Sequence, residues 1–299
     1  MPSPTFPLLS ARRGVGLTGG TRRSVHRGVG FEVASSRPYR RGDSVRTIDW
    51  KASARVASAR DADDFIVREH FADDRLRAVI VADRRPEMGL YPLDLPWLHK
   101  PAAVVAAAQM IAESAIASQG LPGYLDLADP QAPNWLPPDR QANAARIRED
   151  AAGSTSFTAP ADNLTLALRH LARSRAFVPA GTFVFVLSDF LVVPRAPVWR
   201  SAASLGWDLV PVIVQDPRWE QSFPDASGLA LPLADGFLRL TRAEAAARRT
   251  ANEQRLVDLL GLFAALDLDP ILLSSHDRSE ILAAFMGWHR RRLRRLRRR

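Results

Sequence analysis

The sequence predicts an α/β protein in which a doubly wound, mainly parallel sheet carries helices on both faces, preceded by an N-terminal arm that contains β-strands. Two short runs of apolar, largely β-branched residues, at 75–83 and 181–190, are typical of strands that are covered on both faces. Stretches with helical periodicity separate these runs. Because parallel strands need crossover connections of this kind, the β-then-α order predicts a parallel sheet.

The first element is the arm, which extends to about Arg60 and is rich in Gly, Ser and Arg. Within it, the short alternating segment HRGVGFEV at 26–33 predicts a strand. Just after it, DDFIVREHF at 63–71 alternates apolar and polar residues, as a half-buried strand does. The arm is therefore expected to be irregular, with one or two strands.

The other elements follow in order. Residues 100–118 form the clearest helix, because Pro101 stands at its start and Gly120 lies past its end. A polar stretch leads to a hairpin in LALPLADGFLRL, where Asp235-Gly236 is a favourable turn. Further strands are expected in GYLDLAD, at 182–188, in WDLVPVIVQD and in DPILLSS. Further helices are expected at 161–174, around VWRSAASLG, at 241–266 and from about Asp277.

Charge divides the chain into three parts. The first 60 residues carry 12 Lys and Arg against 3 acidic residues, and the last ten carry 8 Arg and no acid. The net charge of +9 therefore leaves about −8 for the middle. This distribution indicates two basic surfaces on an acidic body and disfavours a uniformly basic nucleic-acid binder. The predicted parts are a basic arm at 1–64, an α/β domain at 65–287 and an Arg-rich tail at 288–299.

Composition also excludes several classes of function. The chain has no cysteine, so it has no disulfide, thiolate metal site or cysteine nucleophile. It shows no secretory signal and no apolar run of the roughly 18–20 residues that span a bilayer, so a cytoplasmic location is expected. Phosphate-binding and nucleophile-elbow motifs are absent, and the six histidines show no paired metal spacing. A non-enzymatic protein is therefore expected.

The segment YRRGDSVRTIDWKASAR at 39–55 resembles the signature of the domain of unknown function 58 family. The pattern is an aromatic residue followed by Gly-Asp, Arg, Asp-Trp and Ser-Ala-Arg at fixed spacing. The positions in register are Tyr39, Gly42, Asp43, Arg46, Ile48, Asp49, Trp50, Ser53, Ala54 and Arg55. The resemblance extends from about residue 20 to 285 and leaves the tail outside.

This resemblance implies a von Willebrand factor A-like fold and no enzymatic activity. Members of the family are commonly found beside MoxR-type AAA ATPases, with which they are thought to act in maturation or remodelling of other proteins. The implied partners are therefore such an ATPase and an unidentified client protein. Many members also carry two membrane helices near the N-terminus, and this sequence shows none.

The resemblance also places Asp83 and Asp189 at the tip of the sheet, where a metal-dependent adhesion site has Asp-x-Ser-x-Ser. This chain instead has DRRPEM at 83–88, with Arg85 and Glu87 at the two serine positions. A guanidinium there would take the place of the cation and pair with either aspartate. Glu87 would supply a replacement oxygen, so Mg²⁺ bound by Asp83, Glu87 and Asp189 stays an alternative; no other cofactor is expected. The two aspartates could instead cap helices.

The signature segment also has two interpretations. In the first it is a structural clasp, in which Asp43 and Asp49 cap turns or pair with nearby arginines, and Trp50 covers an edge of the core. In the second it is a recognition surface whose basic residues meet an acidic partner. The residues that define the clasp are Tyr39, Gly42, Asp43, Arg46, Asp49, Trp50, Ser53 and Arg55.

The tail offers a second basic surface. Phe285, Trp288, Leu293 and Leu296 would form a narrow apolar stripe on a helix, suited to an anionic membrane surface or an acidic partner. Arginine runs also bind nucleic acid, although the acidic body disfavours it, and the bland alternative is a solvated chain end. The alternative function is thus a peripheral membrane or nucleic-acid-binding protein anchored by Arg290, Arg291, Arg292, Arg294, Arg295, Arg297, Arg298 and Arg299.

Overall fold

The apolar runs seen in the sequence form the centre of a six-stranded sheet. Its strands are β3 (Arg77–Ala82), β4 (Leu121–Asp126), β5 (Asn134–Leu136), β6 (Phe183–Ser188), β7 (Asp208–Val214) and β10 (Ile271–Leu273). Their spatial order is β10-β7-β6-β3-β4-β5. Neighbouring strands pair in parallel except β4 and β5, which are antiparallel. The predicted α/β class with a mainly parallel sheet is confirmed and is consistent with a von Willebrand factor A-like fold.

Side chains alternate across the sheet and so build two cores. On one face Ala78 and Ile80 pack with α1 (Lys100–Ala117), α2 (Asn143–Gly153) and α6 (Arg278–Arg298). On the other face Val79 and Val81 pack with α3 (Asn163–Arg173), α4 (Ala196–Ser204) and α5 (Arg242–Ala265). Because both faces are covered, the central strands are apolar throughout, which is why they read as continuous runs in the sequence.

The computed structural model describes residues 4–8, 23–39, 48–54, 65–73, 75–89, 97–129, 131–153, 156–225, 228, 230–233 and 236–298. The chain forms two compact units. The larger comprises Met1–Ala11 and Leu76–Arg299, and the smaller comprises Arg12–Arg75. This division differs from the boundary expected at residues 64 and 65, because the strand at 66–73 pairs with the arm.

In the smaller unit, β1 (Arg23–Pro38) pairs antiparallel with β2 (Ile66–Asp73). The register shifts three times along the pair, as in a strand interrupted by bulges. Residues 50–54 are helical, and Ile48 forms an isolated bridge with Val67. The two predicted strands of this region are thus both present.

The first residues of the chain belong to the larger unit and not to the arm. Phe6 is 1% exposed, and its ring stacks on Phe285 of α6 at a centroid distance of 4.4 Å. The backbone N–H of Phe6 donates to Oγ of Ser114 on α1 at 3.1 Å. The expectation that residues 1–64 form one arm needs correction here, because burial of the Phe6 and Leu8 side chains anchors residues 4–8 to the larger unit.

The remaining predicted elements are present with small changes in their limits, including a hairpin of β8 (Ala230–Leu233) and β9 (Gly236–Arg239). Its expected turn residue Asp235 lies outside the described residues. Strand β5 and helix α2 were not expected from the sequence. In the part of the chain that the structure describes, no helix has the length and apolar character needed to cross a bilayer.

Candidate functional site

The sheet topology brings Asp83 and Asp189 together. Strands β3 and β6 are parallel neighbours, and each aspartate follows the last residues of its strand. The backbone N–H of Asp83 donates to the carbonyl of Leu187 at 3.0 Å, which continues the ladder to the sheet tip. Both aspartates are buried, with exposures of 1% and 0%. Carboxyl ends of parallel strands are where open α/β sheets place ligand sites.

Arg85 bridges these two carboxylates. Its Nη2 lies 2.7 Å from Oδ2 of Asp83 and 2.5 Å from Oδ1 of Asp189. Its Nε donates to Oδ1 of Asp83 at 3.2 Å and to Oδ2 at 2.9 Å, so two guanidinium nitrogens together contact both oxygens of this carboxylate. Arg85 itself is 1% exposed. The guanidinium therefore lies between the two aspartates, in the place where the alternative interpretation of the sequence expected Mg²⁺.

Lys100, at the start of α1, extends this arrangement. Its Nζ donates to Oδ2 of Asp189 at 2.8 Å and to Oε1 of Glu220 at 2.6 Å. Lys100 is 0% exposed, and Glu220 is 8% exposed. We call the five charged residues Asp83, Arg85, Lys100, Asp189 and Glu220 the tip network. It holds three carboxylates and two cations.

Uncharged groups complete the tip network. Oγ of Ser188 donates to Oδ2 of Asp83 at 2.6 Å, and Nδ2 of Asn163 donates to Oδ1 at 3.0 Å. The N–H of Leu191 donates to Oδ1 of Asp189 at 3.0 Å. Sequence reasoning missed Lys100, Glu220, Ser188 and Asn163. One signal was present for Lys100 in the sequence, because a cation at a helix N-terminus opposes the helix dipole and calls for a carboxylate partner.

The network shifts the pKa of two of its members. Burial acts to raise the pKa of Asp189, but the charges of Lys100 and Arg85 outweigh it, so the pKa lies below its ordinary value. Burial acts to lower the pKa of Arg85, but hydrogen bonds and charges from Asp83 and Asp189 outweigh it and raise the pKa. Asp189 therefore stays ionised at neutral pH despite its burial.

The residues at the tip do not fit a divalent cation. Such an ion needs oxygen lone pairs that are free to coordinate it. Both oxygens of Asp83 already accept hydrogen bonds, and the Arg85 guanidinium supplies the positive charge between the aspartates. Among the described residues, no group of three or more His, Asp or Glu side chains is arranged to hold a metal.

Glu87 stands apart from the two aspartates that it was expected to join in a metal site. Its side chain is 48% exposed, and its Oε2 lies 3.9 Å from Nη1 of Arg85. It follows Pro86 in a single 3-10 turn, Pro86–Met88, which directs it outward. Glu87 is therefore a rim residue whose carboxylate is open to a partner and is not a buried ligand.

A strained residue fixes the loop after Asp189. Phe190 has a φ of 51°, in the left-handed region that side chains other than glycine seldom adopt. Its ring is 1% exposed and packs edge-on against Phe263 of α5 at 5.3 Å. Such strain costs about 1–2 kcal/mol and persists only where packing enforces it. Packing of the Phe190 ring therefore holds the loop after Asp189 in this conformation.

The family signature segment lies in the smaller unit. Oδ1 of Asp49 accepts from the N–H of Ala52 at 3.1 Å, which caps the helical turn at 50–54. Oγ of Ser53 donates to the carbonyl of Asp49 at 2.7 Å and accepts from the N–H of Ile66 at 2.8 Å. These contacts tie the turn to β2. The remaining predicted positions, Gly42, Asp43, Arg46 and Arg55, lie outside the described residues.

Trp50 does not cover an edge of the core, as the clasp interpretation expected. It is 60% exposed, and its ring meets Phe65 edge-on at 5.7 Å. Phe65 is 44% exposed and Tyr39 is 37% exposed, and the N–H of Tyr39 donates to the carbonyl of Phe65 at 2.7 Å. The turn faces its tryptophan outward, so three neighbouring aromatic residues, Tyr39, Trp50 and Phe65, form an exposed aromatic patch.

The Arg-rich tail is the continuation of α6 and not a separate element. Phe285 and Trp288 are 0% exposed, so these two residues of the predicted apolar stripe pack in the core, whereas Leu293 and Leu296 are half-buried. Arg292 is also buried, where it pairs with Asp208 and lies 5.0 Å above the ring of Trp288. The side chain of Arg298 and the whole of Arg299 lie outside the described residues.

Two solved structures are similar to this chain. One is a conserved hypothetical protein, BatB, from Bacteroides thetaiotaomicron, at 12% identity and a TM-score of 0.39, covering 75% of this chain and 100% of that one. The other is an aerotolerance-related membrane protein from Bacteroides fragilis with multiple mutations to serines, at 14% identity and a TM-score of 0.38, covering 72% of this chain and 99% of that one. No curated protein matches the chain.

A family model gives the wider relationship. The model described as "Protein of unknown function DUF58" matches residues 35–257, which include the signature segment, both aspartates of the sheet tip and most of α5. The match covers well over half of the 299 residues. The chain therefore belongs to the DUF58 family of proteins of unknown function.

Proposed function

We propose that this protein is a non-enzymatic interaction domain that acts with a MoxR-type AAA ATPase in the maturation or remodelling of other proteins. The observation that carries the proposal is the exposed aromatic patch in the family signature segment. The ATPase as partner comes from the family resemblance, in which members stand beside such enzymes.

The tip network argues against catalysis by its two aspartates. A general base works best when its pKa is raised towards neutrality, and the pKa of Asp189 is lowered instead. The oxygens of Asp83 and Asp189 are engaged by Arg85, Lys100 and neighbouring donors, so neither carboxylate is available to accept a substrate proton. These charges instead hold the carboxyl ends of the strands rigid.

The exposed aromatic patch has the chemistry of a protein-binding hot spot. Tryptophan and tyrosine dominate such hot spots because their large, stiff side chains bury much apolar area at a small entropy cost. Trp50 exposes 60% of its surface, although the adjacent cap at Asp49 fixes its backbone in a helical turn. A large exposed aromatic group on a fixed turn is ready to bind without further ordering.

The test is binding of purified protein to the MoxR-type ATPase encoded in the same genome, measured by isothermal titration calorimetry. We expect Trp50→Ala to weaken binding about 30-fold, since removal of a hot-spot tryptophan costs about 2 kcal/mol or more. The thermal stability of Trp50→Ala should differ little from that of wild type, because the Trp50 ring lies mostly in solvent. The matched control is Phe177→Ala, which removes another exposed aromatic ring, 44% exposed, from the larger unit.

Equal affinity of Trp50→Ala and wild type would contradict the aromatic patch as the docking surface. Failure of wild-type protein to bind the ATPase would contradict the partner itself. Turnover of a phosphate or acyl ester that is lost in Asp83→Asn would contradict the non-enzymatic assignment. The first result is measured only where wild-type protein binds the ATPase, and the third is measured separately from both.

A further inference from the structure

Helix α6 presents three faces with different roles. Ile281, Phe285, Trp288 and Arg292 recur at helical spacing and are buried against the sheet. Arg291 and Arg295 lie beside this face, within about 60° of Trp288 at 100° per residue. Arg290, Arg294 and Arg297 lie about 150–210° from the mean direction of the four buried residues at 100° per residue and therefore point away from the domain. All three are exposed.

The arginines beside the buried face have acidic partners. Nε of Arg291 lies 3.2 Å from Asp269, and Nη1 of Arg295 lies 3.9 Å from Asp267. Nη2 of Arg291 also donates to the carbonyl of Pro270 at 3.0 Å. Together with the buried pair of Arg292 and Asp208, these contacts attach the helix to the loops and strands beneath it. Their charge is largely neutralised within the molecule.

The outer face is different. Within the part of the chain that the structure describes, no carboxylate lies within ion-pair distance of Arg290, Arg294 or Arg297. The spacing of i, i+4 and i+7 sets them in one line along a rigid helix, about 10 Å from first to last. We call these three residues the arginine stripe. It concentrates positive charge that the fold does not need for its own stability.

We infer that the arginine stripe is a docking surface for an anionic lipid bilayer. A line of guanidinium groups on a convex helix meets a plane of phosphates along its whole length without any groove, and Arg pairs with phosphate at close range. The apolar residues Phe285 and Trp288 are committed to the core, so the helix binds the surface by charge and does not insert. The acidic body opposes contact with a long nucleic acid, which would extend over it.

The experiment is sedimentation of the full chain with vesicles of phosphatidylcholine and phosphatidylserine in a ratio of about 2 to 1. Binding should be lost on vesicles of phosphatidylcholine alone and should fall steeply with added salt, because exposed charges are screened within about 10 Å at 0.1 M. We expect the double variant Arg290→Gln/Arg294→Gln to lower the apparent affinity about 30-fold, at about fivefold for each arginine near an anionic surface.

The matched control is Arg291→Gln/Arg295→Gln, which removes the same charge at the same spacing from the paired face. It should keep affinity within about threefold of wild type, because these residues face Asp269 and Asp267. Circular dichroism checks that both variants stay helical. Equal loss in the two variants would overturn the stripe as a specific surface, and so would vesicle binding that neither variant changes.

A parallel titration with double-stranded DNA tests the rival class of macromolecule. Binding of DNA without binding of anionic vesicles would overturn the inference. Binding of neither would do the same. Anionic-vesicle binding that depends on Arg290 and Arg294 is the expected result, and it is independent of whether the ATPase binds the exposed aromatic patch.

Discussion

At the scale of single residues, the tip network uses side-chain cations where a metal-dependent site would use an ion. Burial of three carboxylates is costly, and removal of one partner from a buried pair typically costs about 3–5 kcal/mol. Arg85 and Lys100 offset this cost because each contacts Asp189, on opposite carboxylate oxygens. Asp189 is thus the residue whose ionisation the network depends on most.

The stability of the protein should therefore decline in acid through Asp189. Its pKa in the folded state lies below the unfolded value of about 3.9, so its charge stabilises the fold above that pH. The contribution is lost as pH falls from about 4 through the lower folded value. We expect urea unfolding to show that Asp189→Asn is much less stable than wild type at pH 7 and that the gap narrows as the pH falls below about 4.

The control for this prediction is Asp277→Asn. The pKa of Asp277 is also lowered, chiefly by a hydrogen bond from Ser279 and then by backbone N–H groups at the start of α6, but the side chain is fully exposed. Its substitution should leave stability at neutral pH little changed beside that of Asp189→Asn. A gap for Asp189→Asn that stays constant from neutral to acid pH would contradict the assigned role of its charge.

At the scale of elements, sequence patterns predicted the helices and strands that bury many of their side chains. Strands β3 and β6 are apolar on both faces, and apolar residues recur at helical spacing in the helices that cover them. The fold class could be predicted from these two patterns. Strand β5 has three residues, and α2 buries only three side chains, so neither had a pattern to detect. The site divided in the same way. Asp83 and Asp189 were predicted from strand ends together with the family resemblance, and Arg85 from the resemblance alone, whereas Lys100 and Glu220 meet only after folding.

Phe6 shows the limit of reasoning from local sequence. It stands in a proline-rich segment with no periodicity, yet its ring packs against Phe285, Phe185 and Trp288. We expect Phe6→Ala to lower the free energy of unfolding by about 3–5 kcal/mol, because the ring is 1% exposed and leaves a cavity. Urea denaturation measures this loss.

Phe177→Ala is the control for Phe6→Ala. It deletes the same ring from a position that is 44% exposed, and its cost should remain below about 1 kcal/mol. Similar stability of the two variants would mean that residues 4–8 do not hold the core together. A large loss for Phe6→Ala alone would instead show that this short segment fastens α1 and α6 to the sheet.

At the scale of the whole molecule, the charged residues form a buried group at the sheet tip and two basic segments elsewhere. The tip network is buried and almost balanced, whereas the surplus positive charge lies in the first 60 residues and in the last ten. Buried pairs are screened little by salt, and exposed ones strongly. The stability of the fold is thus expected to change little with salt concentration. The affinity of any association through the exposed arginines is expected to fall as salt is added.

The same division predicts that folding does not depend on a divalent cation. A ligand that binds only the native state stabilises it by about 2.7 kcal/mol at 100 times its dissociation constant, so a metal site would raise the melting temperature as Mg²⁺ is added. Here the Arg85 guanidinium lies between Asp83 and Asp189. We expect thermal unfolding of the wild type to be the same in EDTA and in millimolar Mg²⁺ or Mn²⁺, and isothermal titration to show no saturable binding. A cation-dependent rise in melting temperature that Asp83→Ala abolishes would show instead that Glu87 completes a metal site, and the guanidinium would then have to leave the tip.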